Sequence, residues 1–161
     1  MSRIAAYGGV LGVAVVLAAV GVDLLVETDE ERVSEVLDGL RAAVEAGDLG
    51  RAMPLLDIDG DGFELVVEGA RERYGSANLD ALEERIAEGA EWLAGADIRF
   101  EAPVVRMEGK RAHAYVRMLV ARGRSGAAVL SLDVTLRKGP DGWLVGRLRG
   151  VPSGPRRTAG R

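Results

Sequence analysis

The 161-residue sequence contains no cysteine and a single histidine, His113. Cysteine and histidine supply most protein ligands of transition metals, and thiolates are the nucleophiles of many covalent mechanisms. The composition therefore argues against a transition-metal site and excludes thiol chemistry. A lipid anchor on a processed N-terminal cysteine is excluded for the same reason. A domain outside the cell would have to be stable without disulfides.

Aromatic residues are also scarce, at 4% of the chain. Charge is unevenly distributed, because residues 1–96 hold 7 basic and 20 acidic side chains whereas residues 97–161 hold 14 and 5. A nucleic-acid surface ordinarily combines basic residues with aromatic side chains that stack on bases. The basic region offers few aromatics, so we predict no nucleic-acid partner.

One long stretch without charge runs from Ile4 to Val22. As a helix at about 1.5 Å per residue it would span roughly 29 Å, close to the hydrocarbon thickness of a bilayer. With an extension to Val26, the stretch predicts a transmembrane helix over residues 4–26 and an integral, single-pass membrane protein. The alternative is a cleaved secretory signal, for which residues 18–21 are a weak cleavage match.

The charges beside this stretch predict its orientation. Arg3 precedes it, and the acids within residues 27–31 follow it. The positive-inside bias therefore places residues 1–3 in the cytoplasm and the remaining domain outside, within a few residues of the bilayer. Gly8 and Gly12 form a G-x-x-x-G pattern that favours close helix packing and a homo-oligomer, although glycine is common in membrane helices generally.

The region after the stretch begins with signals of a helix. Thr28 and Glu31 form a capping box, in which each side chain accepts a hydrogen bond from the other residue's amide. Apolar residues then recur at three- and four-residue steps up to Gly47, which predicts an amphipathic helix.

Two further helices are predicted. Asp48 starts a short one through Leu56, which Pro54 limits because proline removes a helical hydrogen bond. Another spans residues 79–94, capped by Ser76 or Asn78.

Strand patterns occupy the rest of the domain. Residues 63–74 alternate in polarity around Glu68-Gly69, which favours a hairpin over a helix. From Ile98 the period is two, and three long strands follow, the last two joined by a turn at residues 139–142. Residues 152–161 are rich in proline, glycine and arginine and predict a flexible basic tail. The order of elements predicts an α+β domain with helices on one face of a curved antiparallel sheet.

With these elements in place, the chain resembles the nuclear transport factor 2-like superfamily, also called the cystatin-like cone. The resemblance covers residues 27–151, and it is especially close to the membrane-anchored bacterial members. The residues that carry it are the first helix ending in Leu40–Asp48, the short helix Leu49–Asp57, and the late meander ending Asp141-Gly142-Trp143-Leu144-Val145.

The resemblance implies a cone-shaped domain of one of two kinds. The superfamily contains enzymes, such as relatives of ketosteroid isomerase and polyketide cyclase, and many non-enzymatic domains that bind small molecules or dimerise. Enzyme members place acids, histidines or tyrosines inside the cone. Here the face expected to line it is uniformly apolar: Ala112, Ala114, Val116, Met118, Leu130, Leu132, Val134 and Leu136.

We therefore predict a membrane-anchored, non-catalytic binding or interaction module, whose partner is a small molecule or a protein. The alternative is an isomerase- or cyclase-like enzyme that acts on an apolar small molecule in the cone. The best acid–base set for such an enzyme is His113, Tyr115 and Asp133. Their alternation in the strands places these residues on the face opposite the core, so we expect a solvated surface there.

A calcium-loop pattern lies between the short helix and the hairpin. In the D-x-D-x-D-G string followed by glutamate, the oxygen ligands would be Asp57, Asp59, Asp61, the Phe63 carbonyl and Glu68. Two features oppose this interpretation: Glu64 stands where an EF-hand has an apolar residue, and no second loop is present to pair with. A strand at residues 63–67 would also carry Glu68 away from the aspartates. The simpler interpretation is an Asp/Gly turn.

The outer face of the predicted sheet is basic. Its positive field suits an anionic partner or lipid headgroups. The simpler interpretation is a solvated face that pairs with the domain's own acids or with a second copy. The residues concerned are Arg99, Arg117, Arg137, Arg147 and Arg149.

Overall fold

The computed structural model describes residues 28–123 and 127–153, with the main chain alone for the last three of these. The predicted transmembrane helix, its Gly8/Gly12 pattern and residues 154–161 lie outside this part of the chain. Within the two described ranges, no helix combines the length and apolar character needed to cross a bilayer.

The first helix, α1, spans Asp29–Glu45 and begins at the predicted capping box. The Glu31 amide donates to Thr28 Oγ1 at 3.2 Å, and the Thr28 amide donates to Glu31 Oε2 at 2.7 Å. Val33, Leu37 and Ala43 are the buried residues of α1. The helix predicted from the apolar periodicity is confirmed.

The next two predicted helices are also present, in shorter or tighter form. Leu49–Leu55 is a 3₁₀ helix that contains Pro54. Helix α2 spans Leu79–Leu93 after a short 3₁₀ helix at Ser76–Asn78. The Asn78 side chain makes no hydrogen bond into α2 and instead accepts one from the Gly75 amide at 2.8 Å.

Seven strands form one sheet in the order β2-β1-β7-β6-β5-β3, and β4 also pairs with β5. The predicted hairpin and the three long strands are confirmed, whereas β3 and β4 were missing from the prediction as separate strands. The strands are β1 (Phe63–Val67), β2 (Ala70–Tyr74), β3 (Asp97–Phe100), β4 (Val104–Glu108), β5 (Arg111–Ala121), β6 (Ala127–Gly139) and β7 (Gly142–Ser153).

Two details of the sheet differ from the prediction. The predicted antiparallel sheet is mixed, because β1 pairs in parallel with β7, with Glu64 opposite Arg147. This pairing joins residues more than eighty positions apart, and local alternation carries no information about its direction. The last strand also continues to Ser153, past the predicted start of the tail at residue 152.

The β6–β7 pairing contains a bulge at Gly146, since Thr135 faces Arg147 but Leu136 faces Val145. A side chain at Gly146 would meet the guanidinium of Arg137, since a Cβ built there would lie 2.3 Å from Arg137 Nε. Glycine leaves room for the Arg137 side chain to cross the β7 backbone, and any other residue at this position would have to displace the guanidinium.

Candidate functional site

The inner face of the sheet is apolar and forms the core. On β5, the predicted face is buried throughout, and on β6 Val134 and Leu136 are buried while Leu130 and Leu132 are half-buried. Apart from Met118 and Leu130, these residues pack in one core cluster with Val33 and Leu37 of α1 and with Leu82 of α2. Among the described residues, Asp57 is the one charged side chain that is buried.

The predicted acid–base set lies on the opposite face, and its members are not assembled into a catalytic group. The Tyr115 hydroxyl donates to Ser131 Oγ at 2.9 Å, although Asp133 is its partner in the β5–β6 register. His113 lies 3.5 Å from Thr135 Oγ1 and 3.5 Å from a Glu108 oxygen. Tyr115 and His113 thus have different side-chain neighbours, and all three residues are exposed.

Arg137 connects the predicted calcium loop to β6. Its two terminal nitrogens lie 3.1 Å from Asp57 Oδ2 and 2.8 Å from Asp61 Oδ2. It also donates to the Gly62 carbonyl at 2.7 Å. Asp57 is 7% exposed, so its carboxylate depends on a cation for compensation. This contact was not predicted, because the loop and the arginine are about 75 residues apart in the chain.

The β1 strand and the Arg137 contacts both affect the predicted calcium loop. Residues 63–67 are a strand, which at about 3.3 Å per residue places Glu68 roughly 17 Å beyond the aspartates. Glu68 sits in the hairpin turn that follows this strand, so β1 separates it from the aspartates. Asp57 and Asp61 already share the positive charge of Arg137. In the described residues, no three acidic, histidine or cysteine side chains are grouped to hold a metal. Calcium binding by the aspartates alone stays a prediction.

A polar cluster that the sequence did not predict lies between β2 and α2. The hydroxyl of Tyr74, a buried residue, donates to Glu72, and Glu72 lies 3.3 Å from Arg85 Nε. Burial and the neighbouring Glu72 carboxylate raise the pKa of Tyr74 to about 12. A phenol with a raised pKa keeps its proton at neutral pH, so Tyr74 can donate a hydrogen bond but cannot act as a general base.

Four of the five outer-face arginines pair with the domain's own acids. Arg99 is 3.1 Å from Asp97, and Arg117 is 3.2 Å from Glu101. Arg147 is 3.2 Å from Glu64, and Arg137 holds the two aspartates. Of these five arginines, Arg149 alone makes no ion pair with a described residue. These pairs agree with the simpler interpretation of this face.

Two cavities are lined in part by Arg111 and Arg137. One, of about 820 Å³, has an apolar wall from Met53, Leu56, Leu79 and Leu144 and a charged rim that includes Lys110. Its size falls within the range of small-molecule sites. The other, of about 270 Å³, opens on the outer face of the sheet and is lined largely by basic residues.

Comparison with known proteins identifies the fold. No protein-family model matches the chain, and no curated protein matches its sequence. A nuclear transport factor 2-like (NTF2-like) protein with a cystatin-like fold from Novosphingobium aromaticivorans is similar with a TM-score of 0.62 at 23% identity, over 88% of this chain and 92% of that one.

Two other solved structures are similar at lower identity. A candidate ketosteroid isomerase from Shewanella frigidimarina has a TM-score of 0.62 at 15% identity, over 78% of this chain and 96% of its own. A candidate dehydratase of the NTF2-like family from Streptomyces avermitilis has a TM-score of 0.57 at 17% identity, with the same coverage. The described domain thus has the NTF2-like fold, an α+β architecture with helices packed against a curved sheet, as the sequence resemblance predicted.

Proposed function

We propose that this protein is a non-catalytic binding or interaction module of the NTF2-like fold, anchored in a membrane by residues 4–26. The observation that carries the non-catalytic part is the separation of chemistry from the core. His113, Tyr115 and Asp133 lie on the exposed outer face, while the inner face is apolar and packed. A general base works in a site that excludes water and holds the substrate.

The anchor rests on the sequence. An uncharged stretch of 19 residues matches the thickness of a bilayer, with Arg3 before it and acids after it. In this proposal residues 1–3 are cytoplasmic and the domain that starts at residue 27 is extracytoplasmic. It extends to the end of β7 at Ser153, and residues 154–161 form a flexible basic tail.

Fractionation of cells that express the full chain tests the anchor. The protein should stay in the membrane pellet after alkaline carbonate extraction and dissolve only with detergent. Residues 27–161 produced without the stretch serve as the matched control and should appear in the soluble fraction. Release of the full chain by carbonate would contradict the anchor.

Association with a second copy is part of the proposal, through Gly8/Gly12 or through the outer sheet face. Val104 is 70% exposed and faces Tyr115, itself 43% exposed, in the β4–β5 register. Val104→Glu should dissociate a sheet-mediated dimer in analytical ultracentrifugation, whereas Gly8→Leu with Gly12→Leu should dissociate a helix-mediated one. A monomer in detergent for the unaltered chain would contradict both.

An enzyme is the alternative that one observation favours. Tyr74 is a buried hydrogen-bond donor beside the core, and its partner Glu72 is half-buried. The fold also occurs in the candidate ketosteroid isomerase. This activity is tested by incubating the protein with a ketosteroid whose double bond can move into conjugation with the ketone. The ultraviolet absorbance of the conjugated product measures turnover. Turnover that is lost in both Tyr74→Phe and Glu72→Gln would establish the enzyme and reject the non-catalytic proposal.

Calcium-dependent interaction is a further alternative, carried by the exposed Asp59 between Asp57 and Asp61. Calorimetric titration of the full chain with calcium, compared with Asp59→Ala, tests it. Binding heat that the substitution abolishes would support a calcium site. Absence of heat in both proteins would reject it.

A further inference from the structure

The outer face of the sheet carries a continuous row of polar side chains across six strands. Strand register places these residues side by side, each opposite the next. At about 4.8 Å between strands, the row is roughly 24 Å long. We call it the outer row; from β2 to β4 its members are Arg73, Glu64, Arg147, Thr135, His113 and Arg106.

The cavity of about 270 Å³ lies along this row. Five members of the outer row line it, and Arg111 of β5 and Arg137 of β6 add two guanidiniums from the adjoining positions. Arg111 and Arg137 are direct partners in the β5–β6 register. Like charges placed directly opposite in a sheet repel each other unless an anion compensates them.

The acids nearby leave part of this positive charge uncompensated. The four lining guanidiniums face one lining carboxylate, Glu64, and the two aspartates bound by Arg137. His113 has its own partner in Glu108. Among the described residues, Arg111 makes no ion pair at all. Its five N–H donors are therefore available to a ligand.

The remaining arginines also keep donors free. Arg73 uses one terminal nitrogen on the Asp61 carbonyl, and Arg147 approaches Glu64 through Nε and one terminal nitrogen at 3.2 and 3.4 Å. Guanidiniums bind phosphate oxygens in a bidentate way, and arginines from separate strands can approach a tetrahedral anion from several sides. Thr135, which also lines the cavity, adds a hydroxyl donor.

We propose that this cavity binds the phosphate of a phosphomonoester, with Arg111 as the principal ligand and Arg73, Arg147 and Thr135 as supporting donors. The site lies on the face opposite the packed core and is independent of the membrane anchor. The phosphomonoester is either a soluble molecule or a lipid headgroup, since both present the same three terminal oxygens.

Calorimetric titration of the full chain in zwitterionic detergent, with inorganic phosphate as the probe, tests the site. Arg111→Gln should weaken binding by about tenfold or more, because a hydrogen bond between charged groups is lost. Arg149→Gln is the matched control. It removes the same charge from the same sheet face, but Arg149 does not line the cavity, so affinity should change by less than about twofold.

A second arm separates the two sources of phosphate. Short-chain phosphatidic acid is titrated beside inorganic phosphate, with short-chain phosphatidylcholine as the blank. Tighter binding of phosphatidic acid assigns the cavity to a lipid headgroup, and equal binding assigns it to a soluble phosphate; both support the site. Absence of binding by either probe, or an equal loss in the Arg111 and Arg149 variants, overturns the proposal.

Discussion

At the scale of single residues, Arg137 connects several parts of the fold. Its guanidinium compensates the charge of the buried Asp57 and packs over Gly146. We expect Arg137→Gln to lower the free energy of unfolding by about 2–3 kcal/mol, since loss of one partner leaves a buried carboxylate uncompensated and Arg137 itself is partly solvated. Urea denaturation measures the change. Arg149→Gln, at an exposed residue without a described ion pair, should stay within about 0.5 kcal/mol of the unaltered protein.

An equal effect of the two substitutions would show that the loop does not depend on Arg137. The Arg137→Gln variant also tests whether the aspartates bind calcium. If the aspartates bind the ion, calcium should partly restore the stability of the Arg137 variant, because it would replace the missing positive charge.

The raised pKa of Tyr74 leads us to expect a loss of stability at alkaline pH. Its folded pKa of about 12 lies above the ordinary value of 10.0. A group whose pKa is raised by folding contributes stability that is complete below its unfolded pKa and is lost as pH rises through the folded value. The unfolding free energy should therefore fall between pH 10 and about 12, and Tyr74→Phe should remove this part of the fall. An identical pH profile in the variant would contradict the assignment.

At the scale of elements, the β1–β2 hairpin contains the one non-glycine residue with positive φ that the structure describes, Glu68. Glu68 and Gly69, at φ 51° and 87°, form a two-residue turn that favours Asn-Gly. We expect Glu68→Asn to raise the unfolding free energy by about 0.5–1 kcal/mol. Thermal denaturation tests this. Lower stability in the variant would mean that the glutamate side chain stabilises the turn.

The sequence predicted those elements whose signals are local. The capping box at Thr28, the apolar periodicity of α1 and α2, the Glu68-Gly69 turn and the alternation of β5 all lie within short windows. The β3 and β4 strands were missed as separate strands because the period of two begins at Ile98 and does not itself show where one strand ends and the next begins. The parallel β1–β7 pairing was missed because it depends on contacts between distant segments.

The candidate sites were predictable only in part, for the same reason. Alternation correctly placed His113, Tyr115 and Asp133 on the outer face. It could not show that Arg137 reaches the aspartates, or that Arg73 and Arg111 meet Arg147 around one cavity. These arrangements follow from strand order, which no single segment encodes.

At the scale of the whole molecule, the described domain separates an apolar core from a basic outer face. Asp57 and Asp61 of the loop before β1, and Glu64 of β1, neutralise arginines of the sheet. This arrangement suits recognition at the surface better than turnover of a buried substrate. The proposed anchor would keep such recognition at a membrane.

The central claim, an NTF2-like domain held by an uncleaved N-terminal helix, is tested most directly by intact mass spectrometry of the protein extracted from cell membranes. For the 161-residue chain expressed in cells, we expect the detergent extract to contain the mass of all 161 residues, less at most Met1. A protein that is recovered without detergent, with a mass that lacks the residues up to about position 21, would contradict the anchor and establish a cleaved signal.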